Sequence, residues 1–257
     1  DKDVTLDDMD SDMMMAYEAY LKNNGVSPNS SSFYMRNLRA VYNRAVEKGL
    51  TSQRFPFKHV YTGVEKTVKR AVPLKVIKRI KEMDFSMNPS FDFARDMFLM
   101  SFYTRGMSFV DMAYLRKQDL QNGVLSYRRR KTGQQLFIKW EKCMQEIVDK
   151  YDTSQSNYLL PIIKPFGDID ERTQYIYAAH NINRCLKIIG KELGLSVSLT
   201  LYVARHAWAS IAKSKNVPLS VISEGMGHDS EATTRIYLAS LDTVAIDKAN
   251  SMILKSL

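Results

Sequence analysis

The sequence predicts a mainly α fold with one small β-hairpin, an α+β chain in which a helical first region precedes a larger second one. Three observations predict it. Apolar residues recur at helical spacing along most of the chain, the period changes to two within residues 123–140, and a basic, proline-containing stretch separates the regions. With 257 residues and 45% hydrophobic content, the chain is long enough for one or two domains around a sizeable core.

In the first region Met9, Met13, Tyr17, Tyr20 and Leu21 recur at helical spacing from Asp8 to about Lys22, and GVSPNSS breaks the pattern. A second helix is expected from about Ser30 to Lys48. It turns Phe33, Leu38, Val41, Tyr42 and Ala45 toward a core and Arg36, Arg39, Asn43 and Arg44 elsewhere, and Gly49 ends it. TSQRFPFKHVYTGVEKTVKRAVPLK holds two prolines, many basic residues and little periodicity, so it reads as a linker. The boundaries drawn from it are a helical domain over residues 1–62, a basic linker over 63–73 that carries Lys69 and Arg70, and a second domain over 74–257.

The second region opens with Leu74, Val76, Ile77 and Ile80, then predicts a buried helix around Phe91 to Tyr103 and another from Val110 to Leu115. In GVLSYRRRKTGQQLFIKW, residues 123–140, Val124, Ser126 and Arg128 alternate with Leu125, Tyr127 and Arg129. Lys131-Thr132-Gly133 supplies turn chemistry, and Leu136, Ile138 and Trp140 resume the alternation, which makes a β-hairpin with a very basic tip. Helices are expected from Trp140 to Tyr151, Arg172 to Leu193, Tyr202 to Ser214, Leu219 to Met226 and Ser230 to Ser240. A tail from Thr243 to Leu257 sets Val244, Ala245, Ala249, Met252, Ile253 and Leu257 along one helical stripe.

Charge narrows the partners. The chain has 37 basic and 28 acidic residues, a net charge of +9, which favours a polyanion, nucleic acid above all, over an acidic protein substrate. No apolar run approaches the roughly 18 residues that cross a bilayer, and the opening DKDVTLDDMDSD is acidic, unlike a secretory signal, so a cytoplasmic protein with no membrane partner is expected. Cys143 and Cys185 stand 42 residues apart without a second pair, and His59, His180, His206 and His228 are scattered, so neither a disulfide framework nor a metal site is expected.

The residues that carry chemistry lie in the second region. They are Arg105 in SFYTRGMSFVDMAYL, Lys131 in RRRKTGQ, Arg205-His206 in LTLYVARHAWASIA, His228 in GMGHDS and Tyr237 in TTRIYLA. These types suit cleavage of a phosphodiester without water. A tyrosine oxygen attacks phosphorus, and arginines and imidazoles stabilise the extra negative charge of the pentacoordinate state. A guanidinium fork binds two phosphate oxygens at once, and a hairpin lysine protonates the departing 5′ oxygen. Gly225 and Gly227 allow a tight turn that presents His228, Asp229 or Ser230 caps the following helix, and Tyr237 falls about two turns later. Arg128, Arg129 and Arg130 are expected to grip backbone phosphates. In the first region Ser31, Tyr34, Arg36, Arg39 and Arg44 are expected to reach a major groove or its phosphates.

In this order the residues resemble the signature of the tyrosine recombinases, the family of phage and transposon integrases: an arginine, a hairpin lysine, His-x-x-Arg-His, Gly-His, and a tyrosine nine residues after that histidine. The stretch from ARHAWASIA to IYLASLD matches closely, and the first region looks like the core-binding domain of these enzymes. RGMSFVDMAYL and RFPFKHV look most like integrases of Bacteroides-type mobile elements. The resemblance implies a site-specific DNA recombinase that forms a 3′-phosphotyrosyl intermediate through Tyr237 without metal or high-energy cofactor. It further implies a clamp around double-stranded DNA, a homo-tetramer on DNA through exchange of the C-terminal helix, an accessory directionality factor and a bacterial, nucleoid-associated location. It makes His206 and Asp111 supporting residues. The alternatives are a catalytically silent DNA-binding protein on the same scaffold and a type IB topoisomerase-like enzyme.

Two departures from the family pattern stand out. Arg105 lies six residues before Asp111 instead of three, and an ungapped match puts Ser108 at the arginine position. Arg105 is expected to be the first phosphate clamp, with the alternative that its duty passes to another residue such as Arg130. Tyr202 occupies the place of the histidine three residues before Arg205, and a phenol with an ordinary pKa near 10 is a poor base at neutral pH.

Overall fold

Asp10 and Ser27 begin the first two long helices by accepting the backbone N–H of Met13 and Ser30 on their side chains, which answers donors that a helix start leaves unpaired. These helices are α1 (Ser11–Asn23) and α2 (Pro28–Glu47). The computed structural model describes residues 3–65, 71–165, 168–238 and 254, with Ile236 and Tyr237 described by backbone alone. The chain divides into two units, residues 1–67 and 68–257.

In the first unit α2 buries Ser31, Ser32, Met35, Tyr42 and Ala45, while Phe33 and Val41, expected inside, are exposed. The stretch after α2 sets this register. Residues 51–65, read from the sequence as the start of a linker, fold back on the helices and bury Phe57 and Val60 in the same apolar cluster as Met14, Leu21, Met35 and Tyr42. Polar side chains fasten it: Ser32 Oγ donates to the Gly63 carbonyl at 2.5 Å, and Tyr42 OH donates to the Ser52 carbonyl at 2.8 Å. Asn29 exchanges two hydrogen bonds with the Glu65 backbone at 2.8 and 3.1 Å. A buried serine is tolerated where its hydroxyl has such an acceptor.

In the second unit α3 (Leu74–Glu82) precedes α4 (Pro89–Tyr103), whose Ala94, Met97, Phe98, Leu99 and Met100 are all buried, so α4 is the central post of the core. α4 packs against α3, α6 (Lys142–Asp149), α7 (Glu171–Glu192) and α8 (Leu201–Ser214). Between α5 (Phe109–Ala113) and α6 lies an antiparallel sheet of β1 (Leu120–Gln121), β2 (Val124–Arg128) and β3 (Gln135–Lys139). The register pairs Leu125 with Ile138 and Tyr127 with Leu136, which puts these four on the buried face, as the period of two predicts. The strand β1, on the β2 side, was not expected: its two residues are too few to show a period. The short helices α9 (Leu219–Gly225) and α10 (Glu231–Leu238) follow α8 and share with it a small apolar cluster of Ala209, Ile222, Met226 and Leu238. The helical tail expected over residues 243–257, like Lys69 and Arg70, lies outside the described residues, apart from residue 254.

Candidate functional site

Arg205 sits in the middle of α8, flanked by Val203, Ala204 and Ala207, and only 7% of it is exposed. A guanidinium survives there because its N–H groups meet acceptors. Nη1 donates to the Gly106 carbonyl at 2.7 Å, and Nη2 donates to the Met226 carbonyl at 2.7 Å and to His228 Nε2 at 2.9 Å. One side chain thus joins the turn after α4, the end of α9 and the histidine loop.

The turn after α4 carries Arg105. Both Arg105 (φ +62°) and Gly106 (φ +74°) are left-handed, a conformation that ends a helix sharply. The turn also comes so close to α8 that a Cβ on Gly106 would stand 2.7 Å from the Arg205 Cα. Arg105 Cδ lies 3.7 Å from where a Cβ on Gly225 would be, so the side chain extends toward the end of α9. Ser108 has another use: it is the N-cap of α5, accepting the Asp111 N–H and donating its hydroxyl to Asp111 Oδ2 at 2.6 Å. Asp111 is buried, and its Oδ1 accepts the Arg130 backbone N–H at 2.9 Å, which ties α5 to the hairpin. The Arg130 guanidinium stacks over the Tyr114 ring at 4.1 Å.

His228 follows Gly227 (φ +64°) at the end of α9, and Ser230 Oγ accepts the Thr233 N–H at 3.3 Å at the start of α10. An arginine has no acceptor, so the bond from Arg205 makes Nε2 of His228 the unprotonated nitrogen. Nδ1 then carries the hydrogen and donates it to Oγ1 of Thr234, 2.7 Å away and fully buried. Burial lowers the pKa of His228 to about 4, helped by the positive charges of Arg205, Arg129 and Lys131 and opposed by Asp229. Because the folded value lies below the ordinary 6.5, the unfolded chain binds a proton first as pH falls. The stability this neutral ring contributes is complete above pH 6.5 and is lost as pH drops from there toward about 4. Nitrogen-15 NMR of the DNA-free protein is expected to show His228 neutral and Nδ1-protonated at pH 5.5; a midpoint near 6.5 would refute this arrangement.

The hairpin tip adds Lys131, which is exposed, and Arg129, which is not. The three tip arginines were expected to act alike on phosphates, but they part company. Arg128 Nη1 donates to the Gly133 carbonyl at 2.6 Å, Arg130 turns to Tyr114, and Arg129 is buried with Nη1 donating to the Gly227 carbonyl. Tyr127, on the same buried face as Arg129, is a further residue the sequence reading missed. Burial and the charge of Asp111 push its phenol well above the tyrosine range, against the pull of Arg129, Arg205 and Arg105.

Tyr202 opens α8 with 60% of its surface exposed, and its ring meets the buried His206 edge-on, with centroids 4.6 Å apart. The His206 carbonyl accepts Ser210 Oγ at 2.6 Å. Tyr237 belongs to α10, one turn after Thr234 and next to the buried Leu238, and its side chain lies outside the described residues. In the first unit Tyr34, Arg36, Arg39 and Arg44 are exposed on α2, whereas Ser31 is only 6% exposed and faces the interior, against the expectation that it reaches DNA. Arg36 and Arg39 donate to the Ser32 carbonyl and to Thr62 Oγ1, at 3.4 and 3.3 Å.

Residues 1–60 match the family model described as the phage integrase SAM-like domain, and residues 73–243 match that of the phage integrase family. No curated protein matches the chain. Among solved structures, a lambda integrase (75–356) dimer bound to a COC′ core site is 16% identical with TM-score 0.69, covering 92% of this chain and 82% of that one. The chain spans 66% of a longer lambda integrase, again a dimer on a COC′ core site. XerH site-specific recombinase bound to palindromic difH substrate, a post-cleavage complex, is 15% identical with TM-score 0.70, over 96% of this chain and 73% of that one. The Tn1549 transposon integrase (aa 82–397) in complex with circular intermediate DNA is 16% identical with TM-score 0.62, over 91% and 82%.

Proposed function

Since the chain belongs to the phage integrase family, the tyrosine-type site-specific recombinases, we propose that it breaks and rejoins DNA strands through a 3′-phosphotyrosyl bond made by Tyr237. The Tyr237 oxygen bonds to phosphorus as the P–O5′ bond breaks, Lys131 gives a proton to the departing 5′ oxygen, and the phenolic proton passes to water. Arg105, Arg205 and neutral His228 stabilise the negative charge on the phosphate oxygens. His206 and Asp111 hold α8 and the hairpin in place, and the Tyr202 hydroxyl offers a hydrogen bond where the family has histidine.

The observation that carries this reading is the position of Arg205, whose guanidinium bonds at once to the turn of Arg105 and to His228. Groups about a hundred positions apart in the chain, the Gly106 carbonyl beside Arg105 and the Arg205 guanidinium, are thereby within hydrogen-bond distance of each other. The partner is double-stranded DNA, contacted by Tyr34, Arg36, Arg39 and Arg44 of the first unit, by Lys69 and Arg70 of the linker, and by Arg128 and Arg130 of the hairpin. Assembly is a homo-tetramer on DNA joined by exchange of the C-terminal helix, with a directionality factor, in the bacterial cytoplasm at the nucleoid. Among the described residues no helix is long and apolar enough to cross a membrane.

A suicide DNA substrate bearing the recombination site, nicked so that the cleaved strand cannot religate, is expected to yield a covalent protein–DNA adduct whose peptide maps to Tyr237. Sequence-dependent binding with no adduct would support a silent DNA-binding protein. Relaxation of supercoiled plasmid at no fixed site would support a topoisomerase.

A further inference from the structure

From the hydrogen bonds of Arg129 we infer that this residue anchors the Lys131 hairpin to the His228 loop, so that the proton donor is set in place against a fixed part of the site. The inference rests on the recombinase reading above and assigns Arg129 a positioning role, distinct from a contact to the phosphate. Two sets of bonds converge on it. Its backbone closes the hairpin tip from both sides: Arg129 N–H donates to the Gln134 carbonyl at 2.8 Å, and the Arg129 carbonyl accepts the Gly133 N–H at 2.8 Å. Lys131 therefore rides on a loop whose closing bonds both belong to Arg129. The side chain then leaves the hairpin and donates to the Gly227 carbonyl, one residue before His228.

That carbonyl is one of two in succession, Met226 and Gly227, that accept arginine donors at the C-terminal end of α9. The end of a helix concentrates unpaired carbonyls and negative partial charge, so cations bind there firmly. Arg205 holds one carbonyl from α8 and Arg129 holds the next from the sheet. Only 8% of Arg129 is exposed, and its Cδ lies 2.7 Å from where a Cβ on Gly227 would be, so a glycine is required for the approach. Arg128 and Arg130 bond elsewhere and do not substitute for it.

The test separates a misplaced proton donor from a missing phosphate contact. A thiol ionises near pH 8.5, so a scissile phosphate with sulfur at the 5′ bridging position releases thiolate without needing a proton. Single-turnover adduct formation is measured on ordinary and bridging-sulfur suicide substrates. Arg129→Gln is expected to react about 100-fold slower than wild type on the ordinary substrate and within about threefold of it on the sulfur substrate, the pattern also expected of Lys131→Ala. Arg129→Lys keeps a donor for the Gly227 carbonyl and falls between. Gly227→Ala, which displaces Arg129 without changing it, repeats the pattern if Arg129→Gln does not fold. Equal slowing of Arg129→Gln on both substrates would mean that Arg129 acts on the phosphate and would overturn the inference. Wild-type rates on both would also overturn it. A wild-type protein that forms adduct on neither substrate would sink the recombinase reading and this inference together.

Discussion

Arg205→Lys is expected to reduce single-turnover DNA cleavage by about a thousandfold, in the range measured when one preorganised donor to a developing oxyanion is removed. DNA affinity should stay within a few-fold, because many other phosphate contacts remain. The lysine ammonium is a point charge and does not reproduce the planar fork that reaches the Gly106 carbonyl, the Met226 carbonyl and His228 Nε2 together. Arg205→Ala goes further and leaves those two carbonyls buried without donors, at about 1–3 kcal/mol each. Its melting temperature is therefore expected to fall below that of Arg205→Lys, while both lose cleavage. Cleavage by Arg205→Lys at the wild-type rate would remove Arg205 from the chemistry.

Gly106→Ala is expected to lower stability by about 3 kcal/mol, from roughly 1–2 kcal/mol for a side chain in left-handed backbone and 1–3 kcal/mol for overpacking. The contact is unforgiving because the nearest atom, 2.7 Å away, is the Cα of Arg205, which cannot swing aside. Either α8 retreats or the turn unwinds, and each pulls Arg105 and Arg205 apart. At roughly 2–4 °C per kcal/mol for a unit of this size, the melting temperature should drop by about 6–12 °C, with cleavage falling in parallel. Gly194→Ala is the control, since its φ of +67° is similar but nothing lies within 4 Å. It should lose only the backbone component and keep activity. Equal losses in the two variants would show that proximity to α8 is irrelevant.

The long helices were legible because apolar spacing and Gly49 past the end of α2 agree, although Pro28, read within GVSPNSS as part of a break, opens α2. The inward face of α2 was not. Phe33 and Val41 are as apolar as anything they were grouped with, and the packing of α1 and the return of residues 51–65 over Ser32 and Tyr42 decide which face is covered. Within the site, the alternation of β2 already placed Arg129 with Leu125 and Tyr127 on the buried side, yet a run of three arginines read as a basic tip that grips phosphates. Ser108-Phe109-Val110-Asp111 spells a helix start, serine with an acid three residues on, which accounts for Ser108 without a lost arginine. Nothing in TTRIYLA marks Thr234 as the partner of His228, because that contact depends on how α10 docks.

Asp111 has both oxygens engaged, one by the Ser108 hydroxyl and one by the Arg130 amide. A single carboxylate therefore gauges the gap between the helical side of the pocket and the strand side, whatever happens beyond residue 130. Lengthening this acid by one methylene, as in Asp111→Glu, would move the two sides apart.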